Sequence, residues 1–238
     1  MKTKNRKKAV WIGALILLLC GIAFLPVRAD GEGGEGGSKP IVYQGQGQGD
    51  RIALTFDDGP HPEYTAEILD ILAEYGIHAT FFVIGSNVDQ YPELLERELS
   101  EGHEIGNHTQ THPLRNITRE RLEEEISECE VTIGEWIDCR PRLFRPPGGI
   151  ISQTVMALAQ DHRYRVILWS IDTRDWSHPS VEQITATVLD EVGAGDIILM
   201  HDGIEHNSPT PAALRRLIPE LLARGYRFVT VSELLGEE

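Results

Sequence analysis

Short apolar runs alternate with longer amphipathic stretches along most of this chain. Runs of strand length fall at Ile52–Phe56, Thr80–Ile84, Glu104–Gly106, Leu143–Phe144, Arg165–Trp169, Asp196–Met200 and Arg227–Thr230. Between them, apolar residues recur with helical spacing over Tyr64–Tyr75, Pro92–Ser100, Thr118–Ile137, Ser152–Gln160, Val181–Glu191 and Thr210–Arg224. In the third of these, Leu122, Ile126, Cys129 and Ile133 share one stripe, and Thr118 stands where an N-cap is wanted. Ser152 and Ser180 mark two further starts. Repeated strand–helix units imply an α/β fold with a mainly parallel sheet covered by helices. The pattern does not separate a closed barrel from an open sheet.

The polar residues with chemistry to offer stand just after the strand candidates, where α/β folds place their sites. Asp57 and Asp58 follow the first strand, in Thr55-Phe56-Asp57-Asp58-Gly59. His108 and His112, spaced i and i+4, follow the third about fifty residues later. Arg145 follows Leu143–Phe144, Asp172 and Asp175 follow Arg165–Trp169, and His201 and Asp202 follow Asp196–Met200. Taken singly, each has a plain reading: a turn, an exposed histidine, a stiff Pro-Pro loop, a strand-end histidine. Together they bring titratable groups from five loops to one face. One carboxylate and two imidazoles make a three-ligand set that leaves a divalent metal an open position, and a second carboxylate is then free to act as a base. The pattern predicts a metal-dependent hydrolase.

Composition sharpens this picture. The chain has 238 residues, 41% hydrophobic and 25% charged, enough for one globular domain. Residues 1–29 differ from the rest. Five basic residues precede an uncharged apolar stretch from Ala9 to Leu25, and Val27-Arg28-Ala29 offers a cleavage site. This reads as a signal peptide or an N-terminal membrane anchor, with the remainder exported to the cell wall or held at the outer face of the membrane. Residues 30–50, rich in Gly, Glu and Gln, read as a linker, and the domain is expected over 51–238. Beyond residue 29 there are 16 basic and 37 acidic residues, a net charge of −21. That excludes a nucleic-acid partner. Membrane contact is expected only through the N-terminal segment. Cys129 and Cys139 are permitted a disulfide by the compartment, and two free thiols are the favoured reading.

In order, TFDDG, HTQTH, RPPGG, DTRDW and LMH resemble the five motifs of the polysaccharide deacetylases, the NodB-homology domain of carbohydrate esterase family four. The resemblance runs from about Arg51 to Leu235. It implies a distorted (β/α) barrel of about seven units and metal-assisted removal of acetyl groups from sugars. Asp58, His108 and His112 would hold the metal, zinc first, with cobalt, nickel and manganese also compatible with the donor set. Asp57 would be the general base, oriented by Arg145, and His201 the general acid, supported by Asp175. The Gly148 backbone N–H would stabilise the oxyanion, while Trp176 and Leu199 would wall the acetyl pocket. Many members carry an aromatic residue where this chain has Gly148, so a more open groove is expected. The implied partner is a glycan, with peptidoglycan ahead of chitin oligomers and acetylated xylan, and a monomer is expected. A non-catalytic wall-binding protein would usually have lost the base or a ligand, and both are present.

Overall fold

The structure, a computed structural model, describes residues 41–237 apart from 48, 116, 139 and 205. The expected signal or anchor, residues 30–40 of the expected linker, and Cys139 lie outside the described residues. Among the described residues, eight strands and eight α-helices follow one another: β1 (Arg51–Asp57), α1 (Tyr64–Tyr75), β2 (Thr80–Val83), α2 (Gly85–Val88), α3 (Pro92–Ser100), β3 (Glu104–Asn107), α4 (Arg119–Trp136), β4 (Leu143–Phe144), α5 (Gln153–Asp161), β5 (Arg165–Val166), β6 (Ile171–Asp172), α6 (Val181–Glu191), β7 (Ile197–His201), α7 (Thr210–Ala223), β8 (Arg227–Phe228) and α8 (Val231–Leu235). Every strand pair is parallel, in the order β5-β4-β3-β2-β1-β7-β6, with β8 beside the first residues of β1. This is the distorted (β/α) barrel. None of the described helices is long and apolar enough to cross a membrane.

Alternation along the strands explains what faces where. On β1, Ile52, Leu54 and Phe56 join the large core under the helices, with Ile198 and Met200 of β7 and Phe81 and Val83 of β2. The residues between them turn inward, so Ala53, Phe82, Leu143, Ile167 and Ile197 fill the barrel interior. The same alternation sends Thr55, Asp57, Leu199 and His201 inward near the C-terminal ends of β1 and β7, where Asp57 and His201 stand in register. The helix starts behave as read: Thr118, Ser152 and Ser180 each accept from a backbone N–H three residues on.

Two expectations are corrected. Arg165–Trp169 is not one strand. β5 pairs with β4 at one edge of the sheet and β6 with β7 at the other, and residues 167–170 cross the gap between them. The expected linker also ends early. Val42 is buried and bridges Ile167, and Gly45 donates to the Gly195 carbonyl at 2.8 Å. Residues 41–45 therefore belong to the domain.

Candidate active site

The crossing segment makes no strand ladder, so its carbonyls need other donors. Arg145 supplies them. Its buried guanidinium donates from Nε to the Ile167 carbonyl at 3.2 Å and from Nη2 to the Leu168 carbonyl at 3.0 Å. Nη1 donates to Thr55 Oγ1 at 2.9 Å and to Asp57 Oδ1 at 2.6 Å. The planar fork lies 4.0 Å from the Phe82 ring centre, a contact that suits arginine over lysine. Asp57 is thereby fixed in a buried ion pair at the floor of a cleft of about 430 Å³.

The second carboxylate points elsewhere because the backbone turns over at Asp58, whose φ is +75°. Its Oδ1 lies 3.4 Å from His108 Nε2 and 3.3 Å from His112 Nε2. His112 also has a positive φ, +55°. Two of the three candidate ligands are thus held in a sparsely populated backbone region, a form of strain that collects at functional sites. His108 Nδ1 lies 2.6 Å from the Arg145 carbonyl, which only accepts, so Nδ1 carries a proton and Nε2 is the nitrogen turned towards Asp58. Asp58 Oδ1 is buried yet has no hydrogen-bond partner. A buried, unpartnered carboxylate oxygen facing two imidazole nitrogens, all within 4.8 Å of one another, fits a divalent cation. Burial opposes ionisation of Asp58, but the imidazoles of His108, His112 and His201 outweigh it and hold the carboxyl well below the usual range.

Across the cleft stands a second buried carboxylate-supported group, His201. His201 Nδ1 lies 2.7 Å from Asp175 Oδ1, so Nδ1 donates and Nε2 is left for a ligand. Asp175 is fully buried. It also accepts from the His201 backbone N–H at 2.8 Å, from Thr210 Oγ1 at 2.6 Å and from the Trp176 N–H at 3.0 Å. Burial pulls the His201 pKa down. The hydrogen bond and charge of Asp175, with the charges of Asp57 and Asp58, overcome it and push the value up to about 9.

Gly148 lies in the tight turn Pro147–Gly149 with φ +61°. The turn's own bonds are donated by Gly149 and Ile150, which leaves the Gly148 N–H for a ligand. A side chain here would sit 3.2 Å from the Leu114 side chain, so Leu114 occupies part of the space a larger residue would take. Trp176, more than half exposed, and Leu199 line the same cleft. Every site residue expected from the sequence is thus at or directly behind one cleft. Sequence reasoning missed Leu114 and Trp169 in its lining. Neither carries titratable chemistry, and Trp169 reaches the cleft only because its segment crosses between the sheet edges. Asp202 is buried behind the site, accepting from Thr65 Oγ1 at 2.5 Å, and burial pushes its pKa up to about 7. Cys129 is a buried free thiol pushed up to about 12 by burial.

Residues 44–167 match the family model described as polysaccharide deacetylase. The chain belongs to the polysaccharide deacetylase family. It is 49% identical over 187 residues to a peptidoglycan-N-acetylglucosamine deacetylase of Bacillus cereus, covering 77% of this chain and 87% of that protein. The fold matches the crystal structure of the Bc1960 peptidoglycan N-acetylglucosamine deacetylase with a TM-score of 0.79 at 33% identity, covering 83% of this chain and 94% of that one. It also matches a family 4 acetyl xylan esterase from Clostridium thermocellum, solved with a cobalt ion. There the TM-score is 0.71 at 36% identity, covering 78% of this chain and 90% of that one. Polysaccharide deacetylases of this type are metal-dependent, and the Asp58–His108–His112 cluster fits that requirement.

Proposed function

We propose that this polysaccharide deacetylase removes N-acetyl groups from N-acetylglucosamine units of peptidoglycan, outside the cell and as a monomer. The observation that carries the reading is the separate support of its two proton-handling groups. Arg145 holds Asp57 from one side and Asp175 holds His201 from the other, with Asp58, His108 and His112 between them in the same cleft. A base and an acid in one site need such different surroundings to stay in opposite protonation states near neutral pH. The substrate class is supported by the similarity to peptidoglycan deacetylases.

Asp58, His108 and His112 would hold a divalent metal, zinc first, which when bound activates water and polarises the acetyl carbonyl. Asp57 takes a proton from the attacking water, and its pair with Arg145 keeps the carboxylate aimed. The Gly148 N–H donates to the oxygen that becomes anionic, a contact worth about 3 kcal/mol in such sites. Trp176 and Leu199 enclose the acetyl group, and with Trp169 keep bulk water from it. His201 Nε2 gives its proton to the sugar nitrogen as the carbon–nitrogen bond breaks, so acetate and a free amine leave. Acetate release from peptidoglycan, N-acetylglucosamine oligomers and acetylated xylan, with and without chelator, tests this. The expected result is chelator-sensitive release from peptidoglycan. Release only from xylan would make the protein an ester hydrolase.

A further inference from the structure

Six titratable groups line the catalytic cleft: Asp57, Asp58, His108, His112, Asp172 and His201. The reaction read above uses five of them and leaves Asp172. This residue ends β6 and is half-buried. Its register partner on β7 is Leu199, so the two backbones run about 4.8 Å apart. Asp172 therefore stands one strand away from a wall of the acetyl pocket. One of its oxygens is already committed. Oδ1 accepts from the Arg174 N–H at 2.9 Å, and the chain turns over there, with Arg174 at φ +54°. Such a backbone is sparsely populated by residues with side chains and collects at functional sites. The bond fixes the carboxylate and leaves Oδ2 without a donor among the described residues. Asp57 is paired with Arg145, and Asp58 belongs to the metal set. Asp172 has neither an ion pair nor a place in that set.

Trp169, Trp176 and Leu199 line the cleft with it. Large apolar walls with a few placed polar groups are how a pocket fixes the orientation of its ligand. A carboxylate oxygen only accepts, so what it meets must donate. An N-acetylated sugar offers two kinds of donor, its amide N–H and its hydroxyls. The nitrogen is the atom that receives the His201 proton, which leaves the hydroxyls. We propose that Asp172 is a specificity residue that accepts a hydrogen bond from a free hydroxyl of the sugar carrying the acetyl group. This rests on the deacetylase reading above and adds a second requirement to it. The enzyme reads the substitution state of that hydroxyl as well as the acetyl group. A sugar acylated or etherified there has no proton to donate and is rejected.

In a glycan linked through C1 and C4, the free hydroxyls are at C3 and C6. The test measures kcat and KM of the full, metal-loaded chain on short peptidoglycan glycan strands. The strands are intact, or carry hydrogen in place of the C3 or the C6 hydroxyl of N-acetylglucosamine, or already contain free amines. Wild type is measured beside Asp172→Asn, which keeps an oxygen for the Arg174 N–H, and Asp172→Ala, which does not. Asp172→Asn is expected to raise KM on intact strands about ten-fold with kcat little changed, as for loss of a charge-assisted hydrogen bond. One of the two deoxy strands should be about as poor for the wild type as intact strands are for the variant. On that strand alone the substitution should make no further difference, a coupling that a merely structural role would not produce. An unchanged KM in Asp172→Asn overturns the inference, as does an equal loss on all three N-acetylated strands. A fall in kcat at constant KM overturns it too, by placing Asp172 in the chemical step. A loss confined to strands with free amines overturns it by making Asp172 a cation site. Each of these leaves the deacetylase reading intact. Wild type that releases no acetate from intact strands overturns both.

Discussion

Asp175 does not reach the cleft, yet it sets the protonation of a residue that does. Four hydrogen bonds converge on its buried carboxylate, and one fixes His201 Nδ1. The folded pKa of His201, about 9, lies above the ordinary value, so its protonated form persists through neutral pH. The stabilisation from this pair is complete below the unfolded value and is lost as pH rises through about 9. In Asp175→Asn the lifting charge is gone, and the alkaline limb of kcat/KM should move from near 9 towards the ordinary histidine value. At pH 8 that amounts to a roughly thirty-fold loss from protonation alone. A pH–rate profile checks it, and an unmoved limb would remove His201 as the acid. Asp57→Asn should lower turnover by about 10²–10⁴-fold with metal binding retained. It also leaves the Arg145 guanidinium buried without a counter-charge, a loss of about 3–5 kcal/mol. Urea melts beside the kinetics separate the catalytic deficit from the folding one.

At the scale of elements, what was legible in the sequence is what local sequence decides. The bounds of α1, α3 and α6 agree with the spacing of apolar positions and with the residues at their ends. The candidate site was legible for a different reason: its residues follow the strands of a parallel sheet, and a parallel sheet brings those ends together. The stretch 165–172 was not legible. Its apolar run looks continuous, and only the position of the two sheet edges decides that pairing stops after Val166 and resumes at Ile171. Nor does a lone arginine in a Pro-rich loop announce that it will satisfy the carbonyls of a segment over twenty residues away. The Pro147–Gly149 turn packs on that same segment. A Cβ at Gly149 would lie 2.6 Å from the Trp169 ring, and φ there is +65°. Gly149→Ala should therefore cost about 1–3 kcal/mol and shift the loop that aims the Gly148 N–H. A fall in kcat exceeding the change in KM, together with a lowered melting midpoint, is the expected signature.

The whole molecule closes its barrel in two places that strand pairing leaves open. Arg145 holds the crossing segment 167–170 from inside. Residues 41–45 hold it from the N-terminal side. The Val42 N–H donates to the Val166 carbonyl at 3.0 Å, and the Val42 carbonyl accepts from Leu168 at 2.7 Å. Two residues on, Gln44 Nε2 donates to Asp196 Oδ1 at 2.8 Å, beside β7. One short strap thus ties β5 at one edge of the sheet to the start of β7 near the other. Burying Val42 contributes about 1.5–3 kcal/mol, and each hydrogen bond about 1 kcal/mol. The strap's effect should reach the catalytic end, because the segment it anchors also carries the carbonyls that orient Arg145, and Arg145 orients Asp57. A chain starting at Gly47 is expected to melt roughly 5–15 °C below one starting at Lys39. Its kcat should also be reduced at temperatures where both remain folded. Equal melting points and equal kcat would show that the barrel closes without the strap. A lower melting point with unchanged kcat would confine its role to stability, and would mean that Arg145 alone keeps the crossing segment in place beneath the site.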